Sequence, residues 1–305
     1  LFSIIEKKYN QTKEFLVSNQ LYNFTYEKDY LVKSNIQMKK AIFLIICGLC
    51  FVECKEKPAK HLVYERSKKH DSIIDKYVIN GAKRFNYKFQ MKEWQDTLDE
   101  GLKVDSTIAY LWQQKAMPYF KARKYEVGME YLDKAVYYNP SRWLSYRAFI
   151  KCIFAKRYRD AIIDFEKCID VYGNGYEMDH TYQFYIAVSK LQLNKFEEAE
   201  RILKEDIKLQ KEKWKEAHLL DLFYLGISKY EQGKWKEAII EFDNCLIQYP
   251  NFSDVQYYKS LCLSRLGKYN ESKSLYQQAK KNGLDGYTFS ESNSVYEKYP
   301  YQVRW

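Results

Sequence analysis

A chain of 305 residues that is 46% hydrophobic and 30% charged carries enough apolar side chain to build a packed core, which excludes a disordered polymer. With only 11 Gly and 5 Pro it is poorly suited to a turn-rich all-β fold and well suited to long helices. The net charge of +10 invites a phosphate-binding role, but bases and acids interleave, as in Lys195-Phe196-Glu197-Glu198 and Lys234-Trp235-Lys236-Glu237. A surface that tracks phosphates gathers its bases on one face, so no nucleic-acid partner is expected and solvated helix faces account for the charge.

The first feature along the chain is Met38-Lys39-Lys40, followed by twelve apolar residues, 41–52, and an abrupt polar exit at Glu53-Cys54-Lys55-Glu56. A basic start, a short apolar run and a sharp exit describe an export signal, and twelve residues fall short of the roughly 20 that span a bilayer. The segment 38–53 resembles a bacterial lipoprotein signal, with Cys54 in the place of the lipidated residue; Glu53 stands where that family prefers a small residue. The resemblance implies a lipid anchor at Cys54 and an address in the bacterial cell envelope, periplasmic or at the outer membrane. A plainly cleaved signal, or a hydrophobic segment of no consequence, is the alternative. Since such a signal works at a chain start, residues 1–37 are expected to be upstream sequence outside the mature protein, and 54–71 to be a linker.

From residue 72 onwards one block recurs. An aromatic residue is followed three positions later by a small one, at Tyr125/Gly128, Tyr158/Ala161, Phe196/Ala199, Trp235/Ala238 and Tyr269/Ser272. The aromatic positions are 33, 38, 39 and 34 residues apart, and a degenerate unit precedes them around 91–105. Around each block apolar residues recur at helical spacing, as in Leu222, Leu225 and Ile227, then Ile239, Phe242 and Leu246. Gln232-Gly233-Lys234 separates the two runs and Tyr249-Pro250-Asn251 ends the second. Each unit therefore reads as a helical hairpin. The two long spacings predict longer helices or an insert near 205–216, and Pro118 predicts a kink in its helix.

These positions resemble the tetratricopeptide repeat: Leu225-Gly226, Gly233, Trp235, Ala238, Phe242 and Pro250 in one unit, and Trp112, Tyr119, Tyr125, Ala135 and Pro140 in another. Together with the signal, the chain is similar to repeat lipoproteins of Bacteroidetes and Flavobacteria. The resemblance implies an all-α solenoid of about five to six stacked hairpins over 72–282, wound as a right-handed superhelix. Small residues let paired helices approach, and the aromatic residue before each plugs the gap to the neighbouring hairpin. Residues 283–305 carry Tyr287, Phe289, Tyr296, Tyr299, Tyr301 and Trp305, too many aromatics for a solvated tail; they are expected to cap the last hairpin, with a partner-binding tail as the competing reading.

Chemistry is harder to find. No phosphate loop, nucleophile elbow or zinc-protease motif is present, so neither an enzyme nor a cofactor is expected. Cys168 and Cys245 occupy equivalent places in their repeats and read as core thiols. Glu177-Met178-Asp179-His180 groups ligand-type side chains, but at a helix start, where Asp179 serves better as an N-cap, and no metal site is expected. In tetratricopeptide repeats the first helix of each hairpin lines the concave groove. Carried over, that geometry directs Tyr146, Arg147, Phe184, Tyr185, Phe223, Tyr224, Tyr257 and Tyr258 toward a protein or peptide partner. The alternative packs them between hairpins. The function expected is a non-catalytic interaction scaffold of the envelope; an envelope assembly-machine subunit of the barrel-assembly kind and a glycan-binding accessory protein are the alternatives.

Overall fold

The computed structural model describes residues 68–305; residues 1–37, the signal 38–53, Cys54 and the linker up to 67 lie outside the described residues. A helical turn over 68–74 runs into a π-turn at Asp75–Ile79, and after a short 3-10 turn the helix α1 (Met91–Val104) packs back on it. Val78, Trp94 and Leu98 are the buried centre of this degenerate unit and cluster with Leu111 of the helix that follows. Five hairpins follow: α2 (Ala109–Lys121) with α3 (Tyr125–Tyr138); α4 (Pro140–Phe149, prolonged by a π-turn at Ile150–Phe154) with α5 (Tyr158–Tyr172); α6 (Tyr182–Gln192) with α7 (Phe196–Trp214); α8 (Leu219–Glu231) with α9 (Trp235–Gln248); and α10 (Ser253–Arg265) with α11 (Tyr269–Leu284). Each helix packs on the one before and the one after it, which is the stacked solenoid expected from the repeats.

The two helices of a hairpin do different work, and the sequence says why. In the second helices one stripe at i, i+4 and i+7 is buried: Gly128, Leu132 and Ala135 in α3, Ala161, Phe165 and Cys168 in α5, Ala238, Phe242 and Cys245 in α9. Such a stripe makes contact on one side and leaves the other to water. The first helices are enclosed nearly all round, and in α8 every residue from Leu220 to Lys229 is buried. The small residues allow close approach where they stand. A Cβ on Gly128 would meet the Phe120 ring at 2.5 Å, and one on Gly226 the Phe242 ring at 2.4 Å.

The spacings have separate causes. Between α5 and α6 the chain inserts a two-stranded ribbon, β1 (Tyr176–Glu177) paired antiparallel with β2 (His180–Thr181). The next interval is lengthened by α7 itself, whose 19 residues end on Lys215 at φ 69°. Pro118 does not break α2. Its missing N–H leaves the Gln114 carbonyl without a helical donor, and the Trp94 indole N–H supplies one at 3.1 Å from the preceding unit; the Lys115 carbonyl next to it accepts the Gln95 amide, also at 3.1 Å. Tyr125, Tyr158, Phe196 and Trp235 are half-buried against the core as gap-plugging residues, whereas Tyr269 is 70% exposed, because the last hairpin has no successor to plug.

The Gly226–Phe242 contact makes a direct test of this packing. Gly226→Leu should destabilise by about 1–3 kcal/mol through overpacking, and Phe242→Ala by about 3–5 kcal/mol through the cavity it leaves. The exposed Lys236→Ala should change stability by no more than about 0.5 kcal/mol. Denaturant unfolding of the three variants checks the ranking.

Candidate functional site

The face offered by the first helices is already taken. After α11 the chain turns back and crosses all five hairpins, then reverses and returns. On the outward limb the Tyr287 carbonyl accepts the Ser253 N–H at 2.8 Å, and Phe289 (4% exposed) inserts among Phe223, Tyr224 and Phe252. Glu291 meets His180 Nε2 at 3.1 Å. Beyond a 3-10 turn at Ser292–Val295, the Tyr296 ring lies under the Lys121 ammonium and the Tyr296 carbonyl accepts Arg123 at 3.3 Å. Glu297 bonds the Tyr125 hydroxyl, and the Lys298 carbonyl accepts the Lys156 ammonium.

The return limb starts with a turn closed by Gln302 N–H to the Tyr299 carbonyl at 3.1 Å, with Pro300 at its second position and Tyr301 at its third, where φ is 61°. A bulky residue is unfavourable in that conformation. It is held there by the Tyr258 ring, while the Pro300 carbonyl accepts the Tyr224 hydroxyl at 2.8 Å. Val303 N–H then donates to Asp254 at 2.6 Å, and Trp305 packs on Tyr257 and Tyr276, over a Gly283 that has no room for a Cβ. Asp254 is the clasp of the loop: fully buried, it also accepts Thr288 of the outward limb at 2.6 Å. Burial pushes its carboxyl up, and the bonds from Thr288 and Val303 oppose that rise.

The eight residues assigned to the groove from sequence therefore divide. Phe223, Tyr224, Tyr257 and Tyr258 do meet an extended aromatic peptide, and it is the chain's own C-terminal segment. The other four are committed to packing. Tyr146 is buried beside Trp143 and Phe149, its hydroxyl pushed up to about 12 by burial. Arg147 is gripped by both oxygens of Asp164 at 2.8 Å and by Asp133. Tyr185 stacks on Phe165 at 5.1 Å and donates its hydroxyl to the Glu177 carbonyl, and Phe184 lies flat against His180 at 3.9 Å.

The cap of 283–305 seals the last hairpin through Trp305, and in addition runs the length of the solenoid. Two of its anchors carry a sequence signal that repeat spacing alone overlooks. The turn residue two positions before each plugging aromatic has positive φ in all five hairpins: Arg123, Lys156, Asn194, Gly233 and Gly267. Glycine is the easy choice there, and other residues carry a strain of about 1 kcal/mol or more. Arg123 and Lys156 accept that strain and present cations to the tail's carbonyls.

Glu177, Asp179 and His180 do not act as a group. Glu177 bonds Ser145 at 2.7 Å and Arg142 at 3.4 Å, and the N-cap of α6 is Thr181, which accepts the Phe184 N–H, rather than Asp179 as the local pattern suggested. His180 is 1% exposed and faces His218, whose imidazole is lowered to about 4 by burial and by the neighbouring His180. His218 Nδ1 accepts the Leu220 N–H at 3.2 Å, capping α8. Burial raises Glu291, but the bonds from His180 and Tyr299 and the nearby His180 and His218 rings together hold it below the usual carboxylate range. Cys168 and Cys245 are buried, with thiols pushed up to about 11 and about 12, so they are protonated packing groups.

The hairpin α8–α9 coincides with a match, over residues 222–251, to the family model described as tetratricopeptide repeat. In three dimensions the chain is similar to PilW, a widely conserved type IV pilus biogenesis factor, with a TM-score of 0.54 at 15% identity over 67% of this chain and 90% of that one. It is similar also to a tetratricopeptide repeat protein from Parabacteroides merdae ATCC 43184, with a TM-score of 0.55 at 12% identity over 72% of this chain and 88% of that one. No curated protein sequence matches the chain. The fold is thus an α-solenoid of tetratricopeptide-like hairpins.

Phe289 is the deepest apolar anchor of the outward limb, and Val295, at 78% exposure, touches little. Phe289→Ala should loosen residues 285–305 by about 3–5 kcal/mol, seen as faster amide exchange and earlier proteolysis of that segment, while Val295→Ala leaves both unchanged.

Proposed function

We propose that this chain is a non-catalytic scaffold of the bacterial cell envelope whose first-helix face binds an extended, aromatic-rich peptide segment of a partner protein, and that the C-terminal segment holds this face until the partner displaces it. The observation that carries the reading is the set of bonds from Tyr224, Arg123 and Lys156 to the carbonyls of Pro300, Tyr296 and Lys298. Main-chain acceptors exist in every peptide, so these donors select an extended backbone, while the Phe223 and Tyr258 surfaces select aromatic side chains.

Exchange in trans tests it. A labelled peptide of residues 285–305 should bind the chain carrying Phe289→Ala and Tyr299→Ala, whose groove residues are untouched, and should be excluded from the unaltered chain. A peptide that binds neither would show the segment to be a permanent structural element, and the face unavailable to partners.

The envelope address rests on Met38-Lys39-Lys40, the apolar run 41–52 and Cys54. The mature protein should begin at a lipid-modified Cys54 and lose membrane association in Cys54→Ala. Mass spectrometry that finds residues 1–37 in the mature protein would overturn both the export and the start-site readings.

A further inference from the structure

We propose that His180, His218 and Glu291 form a binding site for a divalent cation of zinc's ligand preference, and that the bound ion pins the C-terminal segment onto the first-helix face. The inference rests on the reading of that segment as a displaceable occupant and adds what controls it.

The three side chains come from three separate elements. His180 opens β2, just before the N-cap of α6, His218 stands at the head of α8, and Glu291 lies on the outward limb of the tail. One ligand atom from each lies within 4.8 Å of the other two. Zinc binds imidazole nitrogen at about 2.0–2.1 Å and carboxylate oxygen at about 2.0–2.2 Å, so ligand atoms around it stand about 3.0–3.5 Å apart. The 3.1 Å between His180 Nε2 and Glu291 Oε1 is already such an edge. His218 has only to close in slightly. Its Nδ1 accepts the Leu220 N–H, so coordination through Nε2 shifts the ring proton to Nδ1 and gives up that capping bond.

The His180 ring is fixed by the face of Phe184 at 3.9 Å and the edge of Tyr185 at 5.8 Å. Its Nδ1 is buried without a hydrogen-bond partner, so coordination through Nε2, which puts the ring proton on Nδ1, leaves that N–H unpaired at a cost the metal bond has to exceed. Glu291 has a further partner in the Tyr299 hydroxyl at 3.5 Å, which orients the carboxylate from the return limb. An entry path exists as well. Both histidines line a cavity of about 340 Å³, walled further by Asp179, Gln210, Trp214 and Asp221, from which water could complete a tetrahedral shell. Two nitrogens and one carboxylate suit zinc better than calcium or magnesium, which take all-oxygen shells.

The consequence follows from which elements supply the ligands. Two belong to the solenoid and one to the tail, so the complete site exists only while the tail is docked. A cation that binds the docked form and not the released form stabilises docking by linkage.

The test uses the purified full chain, metal-free and then titrated with zinc chloride, read by calorimetry and by amide exchange over residues 287–303. One zinc per chain is expected. At 100 times its Kd, zinc should slow exchange in that segment about 100-fold. His218→Asn keeps a capping side chain for α8 and touches no tail residue by hydrogen bond, and Glu291→Gln keeps a partner for His180. Both should abolish the zinc effect while leaving the tail docked in the metal-free protein. No zinc binding, or binding that survives both substitutions, overturns the proposal. The peptide-exchange measurement is made in chelator, so zinc can protect the tail whether or not a peptide ever replaces it, and the two readings fail separately.

Discussion

The whole architecture depends on the burial of the first helices. A single hairpin leaves the apolar side of its first helix open, and α8, buried at every position from Leu220 to Lys229, is the extreme case. The preceding helix α7 and its own partner α9 cover most of it, with lesser contacts from α6 and α10. The remaining face is closed by Phe289 and Pro300 of the C-terminal segment, with Tyr299 packed against Phe289. Without that closure the solenoid would expose a continuous aromatic strip, a surface that monomeric proteins seldom leave open unless a partner uses it.

The segment is held in the manner of a bound peptide. Its deeply buried aromatic anchors are few, Phe289 and Tyr299, and several of its polar contacts go from side chains of the solenoid to its own main chain. Because it starts directly after α11, it faces its site at an effective concentration on the order of millimolar. Any partner must overcome that advantage, which sets a threshold of affinity and keeps the face closed to weak, unspecific ligands.

Several buried polar groups lie where the segment meets the solenoid. Asp254 clasps both limbs, Glu291 lies between two histidines, and Tyr301 holds an unfavourable backbone angle at the reversal. Such groups contribute less to stability than apolar packing would, and they specify one register of docking instead of many. The same chemistry makes docking responsive, since each depends on a partner that competition or a bound ion can alter.

The order of helices, the hairpin turns and the buried stripes were legible in the amino-acid sequence, because they follow from local periodicity and from residue size at close approaches such as Gly128 and Gly226. The aromatic excess of 283–305 likewise announced a segment that packs. What the sequence left open was where it packs. Asp254 meets Val303 across 49 residues and His180 meets Glu291 across 111, and no local pattern encodes such pairings. The groove assignment divided for the same reason. Helical spacing places Tyr185 and Tyr224 at equivalent points, but only the stacked hairpins decide that one turns toward Phe165 and the other toward Pro300. Periodicity is a property of one helix, while a binding face is a property of the surface that several helices and the returning chain make together.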